Sequence, residues 1–156
     1  RPAAAAELNL SVEIPRMSVA EYHNPYVAIW VGKPDQTAVK TLAVWYDIKL
    51  RNQEGETWLK DMRQWWRRAG QAMDLPADGV SGATKAPGRH QVRFVGGKAP
   101  LGTLPAGQYN LVVEAAREVG GREMVRIPFQ WPPKAPPAGQ AKGETELGAV
   151  SLSLKP

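Results

Sequence analysis

The sequence predicts a mostly β fold, an antiparallel sandwich with one short helix. Three observations carry that prediction. Apolar and polar residues alternate with period two along most segments, as half-buried strands require. Gly, Pro and Asn turn signals separate those segments. Fourteen prolines in 156 residues leave few windows for long helices. A chain of this length supports a single core, so residues 1–156 are expected to form one sandwich domain.

The elements follow in order. Arg1-Pro2 and the alanines through Ala6 resemble the trimmed edge of a mature exported protein, so residues 1–6 are expected to be disordered, with a signal peptide removed. Leu8, Leu10, Val12 and Ile14 face one way while Asn9, Ser11 and Glu13 face the other. Val27, Ile29 and Val31 form the next strand, then Leu42, Val44, Tyr46, Ile48 and Leu50, and then Val92 with Phe94. Tyr109, Leu111, Val113 and Ala115 oppose Asn110 and Glu114; Val125, Ile127 and Phe129 follow, and Val150, Leu152 and Leu154 close the chain. Roughly seven strands, with turns at Asn24-Pro25, Pro105-Ala106-Gly107 and Gly120-Gly121, point to an immunoglobulin- or fibronectin-like sandwich. Pro132, Pro133, Pro136 and Pro137 mark residues 131–146 as a proline-rich loop.

One stretch has a different period. Thr57 to Arg68 lacks Gly and Pro and places Trp58, Met62, Trp65 and Trp66 on one stripe, with Lys60, Arg63 and Arg67 on another. Thr57 can cap its start and Gly70 can end it, which predicts a helix crossing one end of the sandwich. On that stripe Trp58 is expected in the core, whereas one of the adjacent Trp65 and Trp66 should be partly exposed.

Composition removes several function classes. The chain has no cysteine, so disulfide, thiolate and cysteine-ligated metal chemistry are excluded, and a redox role requires a bound cofactor. No apolar run is long enough to cross a bilayer, so stable membrane insertion is not expected. A net charge of +5 favours anionic partners, but without a recognisable nucleic-acid-binding motif, nucleic acid is not expected among them. His23 and His90 stand far apart with no carboxylates at ligand spacing, so no metal site is expected. Glu114, Arg117 and Glu118 read as a surface ion-pair ladder at the end of a strand.

The segment Asp78 to Thr84, D-G-V-S-G-A-T, carries the sharpest chemical signal. It resembles the acceptor motif of proteins that hold FMN covalently on a threonine, through a phosphoester made by a periplasmic flavin transferase. The resemblance implies attachment at Thr84, with Asp78, Ser81, Gly82 and Ala83 shaping the loop or serving transferase recognition. The residue types suit such an attachment. Gly79 and Gly82 supply backbone freedom, Ala83 leaves room beside the hydroxyl, and Asp78 can accept local backbone hydrogen bonds. The bland alternative is a plain flexible turn. Gly79 to Ala83 also approaches the G-x-S-x-G nucleophile elbow, but Ala83 replaces the last glycine and the strand-to-helix setting is missing. Trp65, Trp66, Arg67 and Arg68 could pack the flavin ring or steer an anionic partner; equally, the indoles could fill the core while the arginines stay solvated.

Beyond that motif, the chain resembles the predicted periplasmic family of unknown function DUF2271. The resemblance rests on H-N-P-Y-V-A-I-W at His23 to Trp30, V-K-T-L-A-V-W-Y at Val39 to Tyr46, W-L-K-D-M-R-Q-W-W at Trp58 to Trp66, the acceptor segment through Gly88, and G-Q-Y-N-L-V-V-E-A-A-R-E at Gly107 to Glu118. The chain departs from the expected pattern at Phe94-Val95-Gly96-Gly97, where a W-D-G turn would stand. The resemblance implies a periplasmic electron carrier bearing FMN on Thr84, more a carrier subunit than a turnover enzyme. Its implied partners are the FMN transferase and a membrane-embedded, PepSY-like reductase as electron donor. A cofactor-free periplasmic adaptor that binds a protein is the alternative, since a sandwich by itself does not choose.

Overall fold

The computed structural model describes residues 5–134 and 138–156. Its strands are β1 (Glu7–Ile14), β2 (Tyr26–Gly32), β3 (Ala38–Tyr46), β4 (Ser81–Ala83), β5 (Gly88–Val95), β6 (Gly107–Ala116), β7 (Arg122–Trp131), β8 (Ala138–Lys142) and β9 (Ala149–Lys155). They form two packed sheets, ordered β5-β1-β9-β8 and β4-β3-β2-β6-β7. Every pairing is antiparallel except β3 with β4. The mostly β sandwich predicted from alternation is the fold of the chain.

Between the sheets lies the main core. Leu8, Leu10, Val12 and Ile14 face Val27, Ile29 and Val31, joined by Leu111, Val113, Ile127, Phe129, Leu152 and Leu154. These are the inward positions that the period-two pattern selects.

The prediction fails in physically instructive places. Leu42 and Ala43 both enter the main core, while Val44 and Tyr46 face the opposite side. The pairing steps from Ile29↔Ala43 to Trp30↔Thr41, so Leu42 is the extra residue of a bulge, which shifts the face on which the strand's side chains lie. Ile48 and Leu50 fall outside the strand. Two short strands, β4 and β8, carry too few apolar residues to show a period. β8 occupies part of the stretch expected to be a proline-rich loop. Pro136 and Pro137 of that expectation, and residues 1–4 of the expected disordered terminus, lie outside the described residues.

The helical stretch is the largest departure. In place of one helix over Thr57–Arg68, a 3₁₀ segment spans Arg51–Asp61, Met62 breaks the direction (φ −80°, ψ 74°), and α1 covers Arg63–Arg68. A single 3₁₀ turn follows at Gly70–Ala72. The segment does not cross an end of the sandwich. It lies on the outer face of the five-stranded sheet, where Leu59, Met62 and Trp65 pack on Tyr26, Ala28, Trp30, Val44, Tyr46 and Val112. That sheet is therefore buried on both faces.

Glu114 explains the break. It points from β6 to the outer face, fully buried, and its carboxylate accepts the amide N–H of Trp65 at 2.8 Å and of Gln64 at 3.2 Å. In a continuous helix those amides would bond Asp61 and Lys60. They are free because the first α-helical bond is Trp66 N–H to the Met62 carbonyl, at 2.9 Å. Glu114 thus docks a new helix start onto the sheet and is no member of a surface ladder. Arg117, also assigned to that ladder, forms a buried pair with Glu146 at 2.7 Å.

Candidate functional site

The segment Asp78 to Thr84 is not a free loop. The Ser81 N–H bonds the Ala77 carbonyl at 2.9 Å, and the Ala77 N–H returns a bond to Ser81 Oγ at 2.9 Å, closing a turn. Gly79 sits at the tip with φ +75°, a left-handed conformation with open space around it, so its lack of a side chain serves the backbone and not packing. Asp78 is exposed and accepts no hydrogen bond among the described residues; Ser81 performs the shaping expected of it. Ser81 to Ala83 then run as β4 beside β3, held at the start by Val44 N–H to the Val80 carbonyl at 2.9 Å. Gly82 passes over the Trp45 indole, which also carries Lys85 Nζ 5.5 Å from its ring centre.

Pairing of Tyr46 with Ala83 brings the next two residues, Asp47 and Thr84, to the same end of the sheet. Thr84 is half-buried there on the wall of a cleft of about 340 Å³, near the lower limit of roughly 300–1,000 Å³ for small-molecule sites. Asp47 follows β3; Trp58, Asp61 and Arg63 come from the helical cover; His23 and Asn24 precede β2; and the β6–β7 turn contributes Arg117 to Arg122 apart from Val119. Tyr26 lines the cleft from β2. Its hydroxyl donates to the Gly55 carbonyl at 2.7 Å, and burial pushes its pKa up to about 12, so it stays protonated.

The cleft mixes one exposed aromatic with charges of both signs. Trp58 is 37 % exposed. His23 Nε2 lies 2.6 Å from Glu21 and Nδ1 lies 3.5 Å from Glu118. The hydrogen bond that the ring N–H donates to Glu21, with Glu118 and Asp47 nearby, raises the imidazole above its ordinary value and favours the cation. Arg117 is held by Glu146, and Arg122 reaches Glu114 at 3.5 Å. Arg63 is exposed and forms no ion pair among the described residues, which leaves its guanidinium available to an anion.

Of the aromatic and cationic neighbours expected for Thr84, the structure brings none into this cleft. Trp65 is fully buried in the outer core, with its indole N–H bonded to Thr41 Oγ1 at 3.2 Å. Trp66 is half-buried beside it, ring centres 6.2 Å apart. Arg67 is exposed, and Arg68 bonds Gln36 at 3.1 Å and lines a separate groove with Asp78. Trp58 and Arg63 line the cleft instead. The expectation that Trp58 is core fails because Trp58 lies on the 3₁₀ segment before the break at Met62, out of line with Met62 and Trp65, and borders the cleft. Tyr26, Asp47 and His23 reach the cleft through long-range pairing and carry no local signal in the sequence.

The model of the DUF2271 family, described as a predicted periplasmic protein, matches residues 7–149. No curated protein and no solved structure gives a significant match.

Proposed function

The chain belongs to the DUF2271 family, and on that premise we propose that it is an extracytoplasmic flavin carrier with FMN held through a phosphoester on Thr84. The observation that carries this reading is the position of Thr84: a hydroxyl residue ends the acceptor segment on the wall of a cleft with an exposed indole and an unclaimed guanidinium. Attachment is a phosphoryl transfer from FAD. Thr84 Oγ1 forms the new bond to phosphorus, the pyrophosphate bond breaks, AMP leaves, and the hydroxyl proton passes to solvent or to a base of the transferase. That chemistry belongs to the transferase; this chain supplies a hydroxyl on a defined edge.

The residues around Thr84 suit the group. Trp58 offers a flat aromatic wall for the isoalloxazine, Arg63 a bidentate partner for the phosphate, and Tyr26 a neutral hydroxyl fixed by Gly55. When bound, FMN supplies the reversible electron chemistry that a cysteine-free chain lacks. A membrane-embedded reductase as donor and a further extracytoplasmic acceptor complete the proposed role.

Intact mass after co-expression with an FMN transferase tests the reading. The wild-type chain should gain one FMN, peptide mapping should put it on Thr84, and Thr84→Ala should stay unmodified. A wild-type chain left unmodified by an active transferase would sink the carrier and leave the cofactor-free adaptor.

A further inference from the structure

Arg117 is a cleft cation that folding has buried without using in full. Its side chain is 7 % exposed, and Nε and Nη2 donate to Glu146 at 2.7 and 3.3 Å. That pairing claims the side-on edge of the guanidinium. The end-on edge remains, formed by Nη1 and the second N–H of Nη2. Nη1 is buried and has no hydrogen-bond partner among the described residues. A buried charged donor left in that state carries a desolvation cost that an incoming acceptor removes.

The guanidinium is also held in place. Glu146 is itself buried and accepts the Gly121 N–H at 3.1 Å, so the carboxylate that grips Arg117 is anchored in turn. Gly120 lies against the guanidinium face: a Cβ there would stand 2.5 Å from Cζ, 2.7 Å from Nη2 and 2.8 Å from Nε. The Tyr22 ring centre is 5.6 Å from Cζ. Glycine is therefore required at 120 by the guanidinium, since its φ lies outside the left-handed region. Glu146 and Tyr22 are not part of the cleft wall, whereas Arg117 is. With one edge and one face claimed, the end-on edge is what this guanidinium has left to offer the cleft.

Shape and charge set the class of ligand. An end-on edge presents two parallel N–H groups, which match two oxygens on one carboxylate or phosphoryl centre. Arg122 stands on the same hairpin end: the Arg117 N–H bonds the Gly121 carbonyl at 3.0 Å, and Arg122 pairs with Ala116 across the hairpin. Its side chain also lines the cleft, is 38 % exposed, and spends only Nη1 on Glu114, at 3.5 Å. Glu118, the acid that this hairpin gives to the wall, faces His23 at 3.5 Å. Two guanidiniums favour a dianionic centre over a singly charged one. We infer that the hairpin end of the cleft is a phosphoryl-binding subsite, with two oxygens on the end-on edge of Arg117 and Arg122 adding charge beside them. It takes free phosphate or a phosphate monoester without covalent chemistry, so it goes beyond the flavin reading and does not depend on it.

The test uses the chain purified without a transferase and titrates it with inorganic phosphate, ionic strength being held constant with sodium chloride. NMR reads the Nε–H signal of Arg117, which its bond to Glu146 shields from exchange. A saturable shift of that signal is expected, with Kd on the order of 1 mM. Arg117→Lys keeps a cation for Glu146 but loses the fork, so it should weaken phosphate binding about tenfold. Gly120→Ala pushes the guanidinium aside and should weaken binding in the same direction. The wild-type signal needs no variant, so the result stands even where a variant fails to fold. A signal that phosphate leaves unmoved overturns the proposal, because the edge then holds only water. Unchanged phosphate binding in a folded Arg117→Lys overturns it as well, as does acetate binding as tightly as phosphate. None of these outcomes alters whether Thr84 gains mass, so the subsite and the carrier fail separately.

Discussion

Replacing Glu114 tests how the cover carrying one wall of the cleft is fastened to the sheet. The carboxylate is fully buried and accepts the Trp65 and Gln64 amides at 2.8 and 3.2 Å, with Arg122 more distant at 3.5 Å. In Glu114→Ala both amides lose their partner inside a packed interface and a void remains. Hydrogen bonds to charged groups contribute about 1.5–3 kcal/mol each, and two are lost together here. A loss of about 3–5 kcal/mol is expected, a large share of the ~5–15 kcal/mol that holds a domain together. Glu114→Gln keeps one oxygen for Trp65 but turns an NH₂ toward the Gln64 amide, so it should cost about 1–2 kcal/mol. Arg122→Ala removes only a long, partly exposed contact and should cost at most about 1 kcal/mol. Urea unfolding followed by tryptophan fluorescence ranks the three variants. If Glu114→Ala and Arg122→Ala cost the same, both under about 1 kcal/mol, Glu114 is a surface pair after all and the docking account is wrong.

Other substitutions separate fold from function. Burial pushes the Glu123 carboxyl up, but the N–H groups of Glu144, Leu147, Thr145 and Glu146 outweigh it and hold the group below its ordinary 4.5. Its stabilisation is therefore complete above about pH 4.5 and is lost as pH falls through the lower folded value. Glu123→Gln should cost about 1–3 kcal/mol at neutral pH, with the gap in Tm to wild type narrowing below pH 4.5; a constant gap would contradict it. Gly82→Ala places a methyl at ordinary contact, 3.6 Å from Trp45, so Tm should hold while flavin loading by the transferase falls. Gly79→Ala, at φ +75°, should cost about 1–2 kcal/mol, measured by thermal melting.

The main core was legible where a strand buries one face, because a one-sided strand writes its burial as alternation. Leu8 to Ile14 shows this without ambiguity. The outer core was not legible for the converse reason. β2 is buried at all seven positions, so its sequence says that it is buried but not by what. Glu114 looked like a solvent-facing residue because nothing in β6 announces that residues 51–73 will cover it. The helix was foreseen in place but not in form, since a glutamate some fifty positions away decides where it starts.

The candidate site inherits that division. Thr84 stands out in the sequence because the segment that resembles an acceptor motif is contiguous, and contiguous signals survive in a bare sequence. The cleft around it is a product of packing at a distance. The cover must follow the outer face of the sheet to bury Leu59, Met62 and Trp65, yet it joins β3 through Asp47 at the sheet's end. There the β6–β7 turn and the segment before β2 also arrive, and Gly55 packs so closely on the Asp47 carbonyl that it has no room for a side chain. Trp58, from the 3₁₀ segment, and Arg63, at the start of α1, line the cleft on either side of the break at Met62. The same fresh helix start that defeats the helical prediction, captured by Glu114, places Arg63 at the head of α1 on the cleft wall that Trp58 and Thr84 share.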